Sequence, residues 1–126
     1  MTRGTDLITA ERERQLRDGD EPWMGETNPG KIATAGAAYA FGQGYELEYR
    51  GEGGYGRQYL DKVPAGMWPW SWEWWRPSRT ALRTLVRAGA MIAAAIDRLL
   101  EEDDASLAAA IIEDLEAVPV AANDHG

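Results

Sequence analysis

Along residues 77–101, PSRTALRTLVRAGAMIAAAIDRLLE, apolar positions recur every three or four residues: Leu82, Leu85, Val86, Gly89, Ile92, Ala93, Ile96, Leu99 and Leu100. At about 100° per residue these positions fill one face of a helix. Arg79, Arg83 and Arg87 fall on the opposite face. Pro77 suits a first helical turn, where its missing N–H costs nothing. Gly89 sits inside the apolar stripe and costs about 1 kcal/mol relative to alanine, a loss that a close helix crossing would offset. Residues 31–41, KIATAGAAYAF, predict a second helix whose small side chains suit that crossing: TAGAAYA against RAGAMIAAA makes a tight pair.

The rest of the pattern is weaker. Residues 6–18, DLITAERERQLRD, predict a surface helix with few apolar positions, capped by Asp6 or Thr9 and supported by Glu13 four residues before Arg17. Residues 19–30 read as a loop. Residues 105–117 predict a last helix capped by Asp104, with Leu107, Ile111, Leu115 and Val118 inward, stopped by Pro119 ahead of a tail at 119–126. Between 42 and 66, seven glycines and four tyrosines break the helical period. YELEYR alternates like a strand, and GEGG could turn it into YGRQYL, so this insertion is either a short β-hairpin across 45–60 or an irregular loop. The expected fold is mainly α: a small helical bundle in a single domain, 1–126, with a tryptophan-rich loop packed on it.

Composition adds to this picture mainly through charge. The 126 residues carry a net charge of -8. Residues 1–60 hold ten acids and seven bases, residues 61–100 three acids and six bases, and residues 101–126 eight acids and no base. The middle of the chain is therefore locally basic and the end strongly acidic, the pattern of a solvated acidic face or of a surface that docks a basic partner. The absence of cysteine excludes disulfide and thiolate chemistry. No run of about 18 apolar residues predicts a membrane span, and MTRGTDLITAERER lacks the apolar centre of a secretory signal. The expectation is an intracellular, cytoplasmic protein.

Chemistry-bearing motifs are sparse. GEGGYG at 51–56 matches the glycine pattern of phosphate loops, but the run after it is strand-like rather than a helix whose N-terminus could hold a phosphate. The single histidine, His125, is next to last, which removes histidine-based triads and zinc sites. Catalysis would fall to carboxylates around Mg²⁺, with Glu46, Glu48 and Glu52 or Glu101, Glu102, Asp103 and Asp104 as candidates. Consecutive acids on a helix diverge, so the sequence calls for no metal, no cofactor and no catalytic group.

MWPWSWEWWRPSR, residues 67–79, holds five of the six tryptophans. In an extended segment Trp68, Trp70, Trp72 and Trp74 would share one face. A core built on alanine helices is thin, and each indole buries on the order of 150–250 Å², so most of this segment reads as a plug over the core. One or two indoles with the arginines read as a contact surface, the usual composition of binding hot spots. The contact residues expected are Trp72, Trp74, Arg76, Arg79 and Arg83, with Glu101, Glu102, Asp103 and Asp104 as a second, acidic patch.

ERERQ (11–15), Trp23, AGAAYA (35–40), WPW (68–70), WWRP (74–77) and LVRAGAMIAAAIDRL (85–99) together resemble an uncharacterised family of small phage and prophage proteins across about residues 7–100. Relatives carry an H-D-D-x-H-like stretch after the first helix, where this chain reads GETNPGKI. The arginine-rich first helix, the tryptophan loop and NPGKIA are also similar to all-α nucleotide pyrophosphohydrolases of the MazG type, whose Mg²⁺-binding acids are replaced by alanines in AGAAYA. The first resemblance implies an accessory protein that binds a host protein, including anti-CRISPR-like inhibition of host defence. The second implies nucleotide binding or hydrolysis. A structural virion component and a homo-oligomer are further alternatives, and nucleic acid is not an expected partner of so acidic a chain.

Overall fold

The computed structural model describes residues 2–19, 22–49, 63–102 and 109–116. Helix α1 spans Arg3–Asp18, α2 Pro29–Glu48 and α3 Ala81–Glu102, and residues 109–116 form a short α4. Among the described residues three 3-10 turns, Pro22–Gly25, Ala65–Met67 and Trp72–Trp74, lie between them. No strand occurs among the described residues, and the fold is mainly α as the sequence predicts.

Local sequence sets each boundary. Thr2, rather than Asp6 or Thr9, caps α1 by accepting the Thr5 N–H at 3.3 Å. Gly19 ends the helix at φ 63, the left-handed turn a glycine adopts without strain, and returns its N–H to the Gln15 carbonyl at 2.9 Å. Asn28 caps α2 by accepting the Gly30 N–H at 2.8 Å, with Pro29 in the first turn. α2 then continues to Glu48 with Tyr49 as its C-cap, so the strand expected at YELEYR is helix through residue 48; the expected hairpin beyond Tyr49, including GEGGYG, lies outside the described residues. The small-residue run in α2 has no breaker strong enough to end it at 41, and its helical hydrogen bonds carry through Gly42 and Gly44. α3 starts at Ala81, four residues after Pro77. Its first turn is held by Thr80, which accepts the Arg83 N–H on its hydroxyl at 3.3 Å and the Thr84 N–H on its carbonyl at 3.1 Å.

α2 and α3 form the central pair and run antiparallel. Gly36 meets Ala88 and Met91, Tyr39 reaches back to Arg76, and Arg98 near the end of α3 bonds the Met24 carbonyl ahead of α2 at 3.1 Å. The expected tight pair is present, but a different glycine makes it. A Cβ on Gly36 would lie 3.1 Å from the Ala88 carbonyl oxygen and 3.3 Å from the Met91 Cβ. Gly89 instead faces α1, where a Cβ would fall 2.6 Å from Ile8 Cδ1. α1 is fastened across α3 by that contact and by an Arg12–Asp97 ion pair at 3.0 Å.

The buried face of α3 is the small-residue one: Thr84, Ala88, Ala90, Met91, Ala94 and Ala95. Leu82, Leu85, Ile92, Ile96, Leu99 and Leu100, expected inward, are exposed. The helix carries two apolar arcs, and α2 takes the one whose short side chains allow its backbone to approach. Ile111 and Leu115 of α4 are likewise exposed rather than inward. With Met91 the one large α3 side chain among the described buried core residues, the volume over the helix pair is filled by Trp23, Tyr39, Val63 and Trp68, with Met67, Trp70 and Trp75 packed against them.

Candidate functional site

The tryptophan segment is not extended. The Ala65–Met67 and Trp72–Trp74 turns fold it back on itself, so its indoles divide by depth. Trp68 is buried at 5% exposure and Trp70 and Trp75 are half-buried, whereas Trp72 and Trp74 remain 45% and 39% exposed. The segment is thus both plug and surface, with the surface at the two positions the sequence marks for contact.

Trp68 is the centre of the plug. It meets Tyr39, Trp70 and Trp75 edge to face at 5.3, 5.3 and 5.0 Å between ring centroids. Its indole N–H donates to the Ser71 carbonyl at 3.0 Å, closing the tip of the segment on itself. Trp70 donates to Glu26 Oε1 at 3.0 Å, which ties the segment to the loop before α2. That bond, then the Asn28 N–H at 3.1 Å, holds the Glu26 carboxyl below the usual glutamate range. The stretch from Arg76 into α3 is anchored from both sides. Tyr39 Oη accepts the Arg76 N–H at 3.1 Å, and the buried Thr84 hydroxyl accepts the Ser78 N–H at 2.9 Å.

Beside the plug opens a cavity of about 440 Å³. Trp23, Tyr39, Trp68, Trp70 and Trp74 form its aromatic walls, and Arg76, Arg79 and Arg87 supply three guanidiniums. No carboxylate lines it, and none of these arginines is ion-paired within 4.0 Å to a carboxylate among the described residues. Arg76 lies over the Trp74 ring at 5.4 Å and donates Nε to the Glu73 carbonyl at 3.3 Å. Arg87 spends Nη1 on the Arg76 carbonyl at 2.6 Å, while its Nε is buried with no partner among the described residues. The Trp75 indole N–H is also buried and unpartnered. Buried N–H groups left unpaired are uncommon in folded proteins. Of the two residues, Arg87 lines the cavity and Trp75 does not.

The contact residues expected from sequence separate into groups. Trp74, Arg76 and Arg79 come together at the cavity, with Trp72 on the adjoining surface. Arg83 is directed elsewhere: it lines a second cleft of about 630 Å³ between α1 and the start of α3, with Leu7, Arg14, Leu82 and Val86. In the acidic patch, Glu101 is exposed and lies 3.6 Å from Arg98. Glu102 ends α3, and Asp103 and Asp104 lie outside the described residues. Sequence reasoning missed Arg87, Trp23, Tyr39 and Trp70 as site residues. Arg87 was visible as the third arginine of a four-residue spacing, but Trp23 and Tyr39 come from other elements and only folding brings them in. Among the carboxylate candidates, Glu46 is buried and bonded by Gln43 Nε2 at 2.6 Å. No group of three or more His, Cys, Asp or Glu residues placed to hold a metal occurs among the described residues, and none of their helices is long and apolar enough to cross a membrane.

Comparison of the chain with protein-family models, with curated proteins and with solved structures returns no match.

Proposed function

We propose that this protein works by binding another protein, as a small phage or prophage accessory factor directed at a host protein, including a component of host defence. The observation that carries the reading is the pairing of Trp72 and Trp74, two large indoles left 45% and 39% exposed, with the guanidinium of Arg76 over Trp74 at 5.4 Å. Exposed aromatic surface of this kind is costly in water unless something covers it, and tryptophan with arginine is the composition of hot spots at interfaces. The phage setting and the host target rest on the resemblance of the WPW, WWRP and LVRAGA blocks. The test is capture of partners from a bacterial lysate by the tagged chain and by a Trp72→Ala/Trp74→Ala variant. A stoichiometric host protein retained by the first and lost by the second is the expected result. Equal retention by both overturns the surface assignment.

A second reading, nucleotide binding, is favoured by one feature: the cavity sets indole faces beside guanidiniums, the pair of groups that stacks a base and holds a phosphate. A melting temperature raised by millimolar nucleotide with Mg²⁺ is its signature, because a ligand that binds only the folded state stabilises it by mass action.

A further inference from the structure

We infer that the indole-walled cavity is a receptor for an acidic side chain, a glutamate or aspartate carried next to an apolar residue on the partner's surface. The inference rests on the protein-binding reading above and deepens it. Trp74 and Arg76 belong both to the exposed ridge and to the cavity wall, so a peptide lying across Trp72 and Trp74 passes over the cavity mouth.

The lining selects what enters. Arg76, Arg79 and Arg87 line one space that has no carboxylate among its lining residues, and of the three only Arg87 also acts, through its charge, on Glu11 of α1. Arg79 has no hydrogen-bond acceptor among the described residues' bonds, and Arg76 and Arg87 each commit one N–H to a backbone carbonyl, which leaves forked N–H pairs free. A guanidinium fork matches a carboxylate in geometry and charge. Glu26, bonded by Trp70 of the lining, also takes the Asn28 N–H, and Glu73 is exposed. The aromatic walls then take the apolar neighbour. A chain of net charge -8 attracts a long polyanion poorly, whereas a single carboxylate feels mainly the local excess of bases in residues 61–100.

The test is selection from a random heptapeptide display library on the immobilised full-length chain. The expected outcome is enrichment of peptides with Asp or Glu beside an apolar residue. A synthetic copy with Asn or Gln in place of the acid should bind at least about tenfold more weakly, as should the original peptide on Arg79→Gln/Arg87→Gln, since hydrogen bonds to charged groups carry that much affinity. Near-UV circular dichroism checks that the variant keeps its indole packing, and the exposed-site variant Arg79→Gln alone stands in if it does not. Enrichment with no acid requirement, no enrichment at all, or equal recovery on wild type and Arg variants overturns the inference. So does competition by AMP with no effect of acidic peptides, which transfers the cavity to the nucleotide reading. The two proposals fail separately. Partner capture lost in Trp72→Ala/Trp74→Ala but unchanged in the Arg variants sinks the acidic-side-chain receptor and keeps protein binding; acidic peptides held by the cavity while capture ignores the Trp variant does the reverse.

Discussion

Trp75 lies flat on Tyr39, with ring centroids 4.6 Å apart and planes 9° from parallel. This stack joins the tryptophan segment to α2, and the Tyr39 hydroxyl continues the junction by accepting the Arg76 N–H at 3.1 Å and donating to the Trp74 carbonyl at 3.5 Å. Tyr39→Phe keeps the ring and removes both bonds. The bond from the Arg76 N–H is only partly buried, so its loss in Tyr39→Phe should lower stability by about 1 kcal/mol. Tyr39→Ala also empties the stack and should cost about 3–5 kcal/mol. Urea denaturation of the three proteins checks the order. A Phe variant as damaging as the Ala variant would show that the bonds, not the stack, hold the segment.

The tryptophans should separate by depth in the same experiment. Trp68 is 5% exposed and meets four other rings among the described residues, so Trp68→Ala should cost about 3–5 kcal/mol. That is a large share of the roughly 5–15 kcal/mol a domain of this size has in hand. Trp74→Ala removes an indole already 39% exposed whose described partner is the Arg76 guanidinium, and should cost under about 1 kcal/mol. Thermal melts decide between them: a Trp74→Ala variant as unstable as Trp68→Ala would mean that Trp74 belongs to the plug and not to a contact surface.

Which parts of this were legible in the sequence follows from the range of the forces involved. Three helices announce themselves through local periodicity, and the mixed role of the tryptophan segment follows from having more indoles than a small core can hide. What periodicity does not carry is which of two apolar arcs is buried. On α3 the arc of Leu85, Ile92, Ile96 and Leu99 is the more hydrophobic, yet Ala88, Met91 and Ala95 face α2, because close backbone approach depends on the partner helix. The extension of α2 through Glu48 was hidden by Gly42, Gly44 and an alternating YELE, where helical hydrogen bonding overrides weak local preference. The site was half legible. Trp74, Arg76 and Arg79 are close in sequence, whereas Trp23, Tyr39 and Arg87 reach the cavity only through packing.

The two helical glycines give a test of which crossing is tight. At Gly36 an added methyl meets the Ala88 carbonyl and the Met91 Cβ, neither of which can rotate away. Overpacking of this kind costs typically about 1–3 kcal/mol, more than the roughly 1 kcal/mol of helix propensity gained. At Gly89 the closest contact is with the Cδ1 tip of the Ile8 side chain, which can change rotamer. Gly36→Ala should therefore melt a few degrees below wild type and Gly89→Ala within a degree or two of it. The reverse order would place the close crossing between α1 and α3.

The acid limb of stability should run through Glu11. Its carboxylate accepts Arg14 Nε and Nη2 at 3.0 and 2.9 Å and Gln15 Nε2 at 3.1 Å. The Arg14 hydrogen bond is the largest reason its pKa is lowered, opposed by partial burial and aided by the charges of Arg14 and Arg87. A carboxyl whose folded pKa lies below its unfolded one binds fewer protons in the native state. Its contribution is then complete above the ordinary glutamate value of about 4.3 and is lost as pH falls through the lower folded value. Glu11→Gln should be less stable than wild type at pH 7, with the gap narrowing as pH falls below the ordinary glutamate value of about 4.3 and through the lower folded one. Glu26 behaves in the same sense through Trp70, and protonating it should change tryptophan emission over the same range, an effect absent in Glu26→Gln. A pH-independent gap between wild type and Glu11→Gln would mean that the side chain acts by packing against Gln15, and that its charge adds nothing to the fold.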